Sequence, residues 1–271
     1  MRRYRVGWRE RAESIVVSHM ISGLLWDNDG VLVDTERIYF EVNRDFLRTY
    51  GLELSAKDYL EWFLCSSRGA WHLLQERGAT LTEIESCRQQ RNSLYTARLL
   101  SEPDLAVPGV EAILSKLSPR VSMGVVTSSR REHFDAIHRR LTLMRHFKFA
   151  LTIETYQHSK PSPDPYLLGL RHLNVPAHEC LAIEDSPRGL QAAIAAGIRC
   201  LVLRTALTRQ HPFIGALRVV DNMDELSDVI ECLRAASPAE APAAQSCCAQ
   251  IGGRDKIAPL QGRITHRRTR E

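Results

Sequence analysis

Two carboxylates stand two residues apart at the end of an apolar run, Asp27 and Asp29 in SGLLWDNDGVLVDTE, residues 22–36. Leu24, Leu25 and Trp26 read as a buried strand, and Asp29-Gly30 as the turn that lets the backbone leave it. Positions two apart on an extended strand point the same way, so both acids can address one ligand if that conformation persists so far. Alone, Asp-Asn-Asp-Gly is equally ordinary turn chemistry. Three later segments break the tie, each placing a polar group directly after an apolar run: Thr127 in GVVTSS, Lys160 in SKPSPDPY and Glu184-Asp185 in CLAIEDS. Ligands of open parallel sheets collect beyond the carboxyl ends of the strands, where these four groups would converge.

Convergence requires strands that run side by side. Apolar runs at Ile21–Trp26, Val121–Val126, Phe149–Ile153, Cys180–Ile183 and Cys200–Leu203 read as strands. Helical patterns lie between them, which predicts an α/β fold with a parallel sheet and helices on both faces. After the first strand, Ile38, Val42, Phe46 and Leu47 recur at helical spacing, and Gly51 ends that helix. The text from there to about Glu102 is helical without strand signal, with Trp62, Phe63 and Trp71 near Arg68, until Val107-Pro108-Gly109 punctuates it. The stretch is an insertion into the α/β pattern. Asp185 and Ser186 also suit the N-cap of a helix opened by Ser186-Pro187.

On these residues the chain resembles the haloacid dehalogenase-like hydrolase superfamily. DNDG at 27–30 is similar to its nucleophile motif, Thr127 to its phosphate-binding hydroxyl, Lys160 to its basic residue and Glu184-Asp185 to its acidic metal motif. VLVDTE at 31–36 and EDSPRGLQAAIAAGI at 184–198 look most like the branch of beta-phosphoglucomutases and small sugar-phosphate phosphatases. The resemblance implies a Rossmann-like core over residues 20–34 and 108–234, with a helical cap domain inserted at 35–107 and hinges at Asp34-Thr35 and Pro108-Gly109. It implies Asp27 as nucleophile forming an aspartyl phosphate, and Asp29 as the acid that protonates the leaving oxygen and then takes a proton from water. Asp29 argues against carbon–halogen cleavage, because the family's dehalogenases lack that acid. Thr127 and the amides of Ser128 and Ser129, at the start of the next helix, would hold phosphate oxygens. Lys160 would neutralise the nucleophile and the phosphoryl group. Asp27, Asp29 through its backbone carbonyl, Glu184 and Asp185 form a hard-oxygen set suited to Mg2+ as cofactor. Arg68 falls where the sugar phosphomutases place a substrate-phosphate arginine, a role its planar fork suits. Two departures stand out: Tyr39 replaces the mutases' cap-side histidine, and Asn28 replaces an apolar residue and is expected to hydrogen-bond a neighbouring loop.

Composition narrows the classes further. With 271 residues and 44% hydrophobic content the chain can bury one good core and a satellite domain. No apolar run approaches the ~20 residues of a membrane span. The net charge of +4 sits in the ends, +3 over residues 1–19 and +4 over residues 254–271. The remaining middle is acidic, which argues against a nucleic-acid partner. Seven cysteines form no CxxC pair and fit core thiols in a reducing cytoplasm. Residues 1–19 read as a disordered N-terminal extension before a possible start at Met20, and 235–271 as a disordered tail. The expected protein is a cytoplasmic monomer that hydrolyses a small phosphorylated metabolite. The alternatives are a sugar phosphomutase and a non-catalytic phosphate-binding protein.

Overall fold

The computed structural model describes residues 20–235, and the readings made above for 1–19, for Cys247 and Cys248 and for the tail beyond 235 lie outside them. Six parallel strands form one sheet in the order β3-β2-β1-β4-β5-β6. They are β1 (Gly23–Trp26), β2 (Ser122–Val126), β3 (Ala150–Leu151), β4 (Cys180–Glu184), β5 (Arg199–Leu203) and β6 (Arg218–Val220). The chain thus runs outward to one side of β1 and then outward to the other, a reversal that opens a crevice beyond the β1, β2 and β4 ends.

Helices α1 (Glu36–Arg48), α2 (Ala56–Tyr59), α3 (Trp71–Glu76) and α4 (Leu81–Ser101) lie between β1 and β2. Helices α5 (Val110–Leu117), α6 (Arg131–His138), α7 (Asp164–Leu173), α8 (Pro187–Ala195) and α9 (Met223–Ala235) cover the sheet. Alternation along β1 builds the two layers: Leu24 and Trp26 enter the core shared with α5, α6 and α9, whereas Leu25 enters the one shared with α7 and α8. The helices between β1 and β2 bury Phe46, Leu47, Tyr59, Leu64 and Leu74 in a third core of their own. Their two connections to the sheet are tied together. Asp34 N–H donates to Leu105 at 2.8 Å and Val107 N–H to Leu32 at 3.1 Å.

Several elements differ from the sequence reading. β3 keeps only Ala150 and Leu151 of the expected Phe149–Ile153, because a 3-10 turn at Ile153–Thr155 bends this edge strand away. β6 was not expected: three residues are too short a run to carry a periodic signal. Ala235, placed in the tail, closes α9. α6 begins at Arg131 rather than directly after Thr127, with Arg130 as its N-cap.

Candidate active site

Strand register brings the site together. Trp26 pairs with Val125 on one side and Ile183 on the other, so Asp27, Thr127, Glu184 and Asp185 leave three adjacent strands at nearly one level. Asp27 is 8% exposed. Its Oδ1 accepts the Asn28 amide at 2.8 Å and stands 3.1 Å from Lys160 Nζ. Burial, reinforced by the Glu184 charge and only partly offset by Lys160, pushes its pKa well above the usual carboxylate range.

Asp29 is held by hydroxyls. Its Oδ2 accepts Ser129 Oγ at 2.6 Å and Thr127 Oγ1 at 3.2 Å, and its Oδ1 accepts the Thr35 hydroxyl. The strand-end segment therefore does bring Thr127, Ser128 and Ser129 to the cavity, but not as the helix-opening amides expected. The Ser129 amide donates to Thr127 Oγ1 at 3.0 Å, and α6 starts two residues later.

Lys160 is buried with all its donors directed inward. Nζ donates to Glu184 Oε1 at 2.6 Å and to the Val126 carbonyl at 2.9 Å, and faces Asp27. Burial alone would lower its pKa, but Asp27 and Glu184 outweigh it and hold the ammonium form. Glu184 is equally committed. Oε1 also accepts Tyr166 OH at 2.6 Å, while Oε2 accepts Ser186 Oγ at 3.2 Å and the Asp185 amide at 3.3 Å. Burial pushes Glu184 up, yet Lys160 brings the net shift below the ordinary value. Gly189 is required beneath it, since a Cβ there would lie 2.0 Å from Glu184 Cδ. Ser186, not Asp185, is the N-cap of α8, accepting the Gly189 amide at 3.2 Å.

Asp185 is left with an unmet demand. Its Oδ2 is buried without a hydrogen-bond partner. Burial and then the charges of Glu36, Asp27 and Glu184 push its pKa far up. Carboxylate oxygens of Asp27, Glu184 and Asp185 lie within 4.8 Å of one another. Three clustered acids with an orphaned hard oxygen fit a divalent cation. Gly30, at φ +77°, closes this corner: a Cβ on it would meet Asp185 Oδ2 at 2.1 Å.

Asp27, Asp29, Thr127, Ser128, Ser129 and Asp185 line one side of a cavity of about 390 Å3 whose other side belongs to the helical insertion, including Arg68, Tyr39 and Trp71. Ser67 Oγ, next to Arg68, donates to the Lys160 carbonyl at 3.0 Å and so ties insertion to core. Tyr39 packs edge-on against Tyr95 with ring centroids 4.9 Å apart. Asn28 does not bond a loop as expected. Its Oδ1 meets His138 Nε2 of α6 at 2.8 Å, and its Nδ2 donates to Asp29 Oδ2 at 3.2 Å.

Two site residues escaped the sequence reading. Glu36 is half-buried, its carboxylate accepting the Tyr59 hydroxyl, and desolvation, opposed by that bond and aided by Asp29, pushes its pKa up to about 7. Arg188 lines the cavity from α8, where burial works against its charge and Glu36 and Asp27 favour it. Both lie inside quoted motifs, VLVDTE and EDSPRG, but only the fold brings those motifs face to face.

A parallel α/β core, an acid cluster with a buried lysine at its strand ends and a helical insertion over them together define a hydrolase of the capped α/β type. Over residues 24–203 the chain matches the family model described as haloacid dehalogenase-like hydrolase, and it belongs to that family. It is 31% identical over 192 residues to the putative phosphatase YhcW of Bacillus subtilis, covering 70% of this chain and 86% of that protein. It is 31% identical over 180 residues to a phosphorylated carbohydrates phosphatase of Thermotoga maritima, covering 66% and 82%. The structure of CbbY from Rhodobacter sphaeroides in complex with xylulose-(1,5)bisphosphate matches with a TM-score of 0.65 at 25% identity, covering 76% of this chain and 96% of that one. No helix among the described residues is long and apolar enough to cross a membrane.

Proposed function

We propose that the chain is a Mg2+-dependent phosphatase that hydrolyses a small phosphorylated metabolite, a sugar phosphate or similar, through an aspartyl phosphate on Asp27. The observation that carries this reading is the asymmetry of Asp27. Its Oδ1 is occupied by the Asn28 amide and Lys160, which leaves Oδ2 as the nucleophile at the edge of the cavity. Asp27 Oδ2 attacks phosphorus, the ester P–O bond breaks, and Asp29 gives its proton to the departing oxygen. Asp29 then takes a proton from the water that attacks the aspartyl phosphate, releasing inorganic phosphate and regenerating both carboxyls. Lys160 holds the attacking carboxylate in place and offsets charge on the phosphoryl group. Thr127 and Ser129 hydroxyls, which anchor Asp29, are within the same pocket to bind phosphoryl oxygens. Arg68 and the Ser128 amide complete the substrate contacts.

Asp27, the Asp29 backbone carbonyl and Asp185 are the groups that would hold Mg2+, with Glu184 acting mainly through Lys160, because both Glu184 oxygens already have partners. The ion supplies charge neutralisation for an anionic transition state. The helical insertion, residues 35–107, serves as the cap that shields the intermediate from bulk water. Hydrolysis is favoured over mutase chemistry because the cap-side position where the mutases present a histidine holds Tyr39, a phenol packed edge-on against Tyr95.

The test is a panel of phosphorylated metabolites with phosphate release as readout. Release from none of them would overturn the phosphatase reading. With beta-glucose 1-phosphate and a trace of the 1,6-bisphosphate, glucose 6-phosphate accumulating faster than inorganic phosphate would make the enzyme a mutase.

A further inference from the structure

Four side chains among the described residues donate to Asp29, and substrate does not leave all of them in place. The Thr127 and Ser129 hydroxyls reach Oδ2, but each has a single proton to donate, so a phosphoryl oxygen that takes it releases Asp29. The Thr35 hydroxyl reaches Oδ1 from the hinge of the helical insertion. The fourth donor is Asn28 Nδ2, 3.2 Å from Oδ2. Asn28 is wholly buried and stands outside the cavity lining, so substrate does not compete for it.

What orients that amide lies behind the site. An amide can present either end, but a carboxylate only accepts, so Asp29 takes the Nδ2 end. Asn28 Oδ1 is thereby turned towards α6, where His138 Nε2 stands 2.8 Å away. Among the described residues His138 has no second polar contact. Its Nδ1 is buried without a hydrogen-bond partner, and its ring lies against Phe134 with centroids 4.3 Å apart.

We propose that His138 is a positioning residue for the reaction, holding Asp29 Oδ2 through Asn28 once the phosphoryl group has drawn off the Thr127 and Ser129 hydroxyls. The inference rests on the phosphatase reading and adds to it a support from the core side of the site. Neither Asn28 nor His138 touches substrate. A proton donor that is free to turn spends less time aimed at the ester oxygen, so the step that suffers without them is the one in which Asp29 gives up its proton as the P–O bond breaks.

The test compares phenyl phosphate with p-nitrophenyl phosphate. The two esters share a shape, but p-nitrophenolate departs readily without a proton, whereas phenolate depends on the donor. The readout is kcat/KM, which covers the steps up to that departure and is not masked by slow hydrolysis of the aspartyl phosphate. Asn28→Leu should lower it about tenfold or more for phenyl phosphate and about twofold or less for p-nitrophenyl phosphate, a fraction of the ~100- to 10,000-fold that a positioned acid contributes. His138→Phe, which keeps a ring beside Phe134 but has no donor, should show the same bias at about three- to tenfold. His138→Gln restores an N–H donor and should bring both esters back towards wild type. Thermal midpoints establish that the variants are folded. Equal losses on the two esters, or none, would overturn the inference, because a merely structural contact slows both alike. Nitrogen-15 NMR of the wild-type imidazoles gives a readout independent of turnover and should find the His138 proton on Nε2. A proton on Nδ1 would also overturn the inference, because Asn28 would then turn Nδ2 to His138 and its oxygen to Asp29. Phosphate release by wild type from neither ester nor any metabolite, with His138 in the Nε2–H form, would sink the phosphatase reading and the positioning role with it, although the contacts would stand.

Discussion

Replacing Lys160 with Met tests the charge balance beneath the site. The methionine fills most of the lysine's volume but leaves Glu184, wholly buried, without its main counter-charge. A buried carboxylate in that position escapes by taking up a proton. Holding that proton costs about 1.36 kcal/mol per pH unit above the unfolded pKa, here the ordinary 4.5 of a glutamate. The sign follows: Glu184 is depressed by Lys160 in the wild type, so the stabilisation exists above pH 4.5 and disappears as pH falls. The variant should therefore lose about 2 kcal/mol at pH 6 and about 5 kcal/mol at pH 8, in line with the ~3–5 kcal/mol of a broken buried pair. For a domain of this size that is a drop in Tm of roughly 5 °C at pH 6 and 10–20 °C at pH 8. The assay is thermal unfolding by circular dichroism in EDTA at pH 6, 7 and 8, wild type beside variant. A deficit that stays constant with pH, or falls below about 2 °C at pH 8, would refute the claim that Lys160 compensates a buried acid. Turnover should fall by about a thousandfold, as when a transition-state electrostatic partner is removed.

Asp27→Asn should abolish phosphate release, by more than about a thousandfold, since an amide is no competent nucleophile; more than a tenth of wild-type activity remaining would exclude a covalent aspartyl phosphate. EDTA should stop turnover and Mg2+ restore it, with Ca2+ a poor substitute because of its longer bonds and looser shell. Mg2+ should also raise Tm by relieving the orphaned Asp185 oxygen, and no shift at millimolar Mg2+ would count against a site there. His138, whose pKa burial lowers to about 4, resists the proton that the unfolded chain accepts below its ordinary 6.5. Stability should therefore fall by about 2 kcal/mol between pH 7 and 5 from this residue alone. In unfolding titrations His138→Gln should flatten that slope, and parallel curves would disprove the assignment.

The central strands and their terminal residues were legible because each combines an apolar run with an abrupt polar stop, and Asp27, Asp29, Thr127, Lys160, Glu184 and Asp185 all meet as that pattern requires. What was not legible depends on contacts between distant segments. Arg188 is an ordinary arginine in helical text until the fold brings it to the wall of the cavity. Glu36 reads as a helix-start acid, a favourable use in itself, and only its closeness to Asp185 and Tyr59 makes it unusual. The edges differed for another reason: β3 and β6 have a neighbour on one side only, so two or three residues suffice, which makes β3 shorter than its apolar run and leaves β6 no periodicity to read.

Asn28 shows how a departure from a family pattern can be resolved by counting its bonds. An apolar side chain in that wholly buried position would need no partners, whereas an amide brings two donors and an acceptor that must be met. The structure meets the acceptor with His138 and one of the donors with Asp29, and because Asn28 Oδ1 is the acceptor, His138 carries its proton on Nε2. The backbone of Asn28 is occupied as well: its amide donates to Asp27, and its carbonyl accepts the Leu32 and Val33 amides at 2.8 and 3.1 Å. One residue therefore touches both catalytic candidates, fixing Asp27 Oδ1 through the main chain and Asp29 Oδ2 through the side chain. The main-chain contact survives any substitution except proline, but the side-chain contact does not. Exchange of Asn28 for leucine accordingly separates the two carboxylates, loosening the proton donor while the nucleophile stays in place.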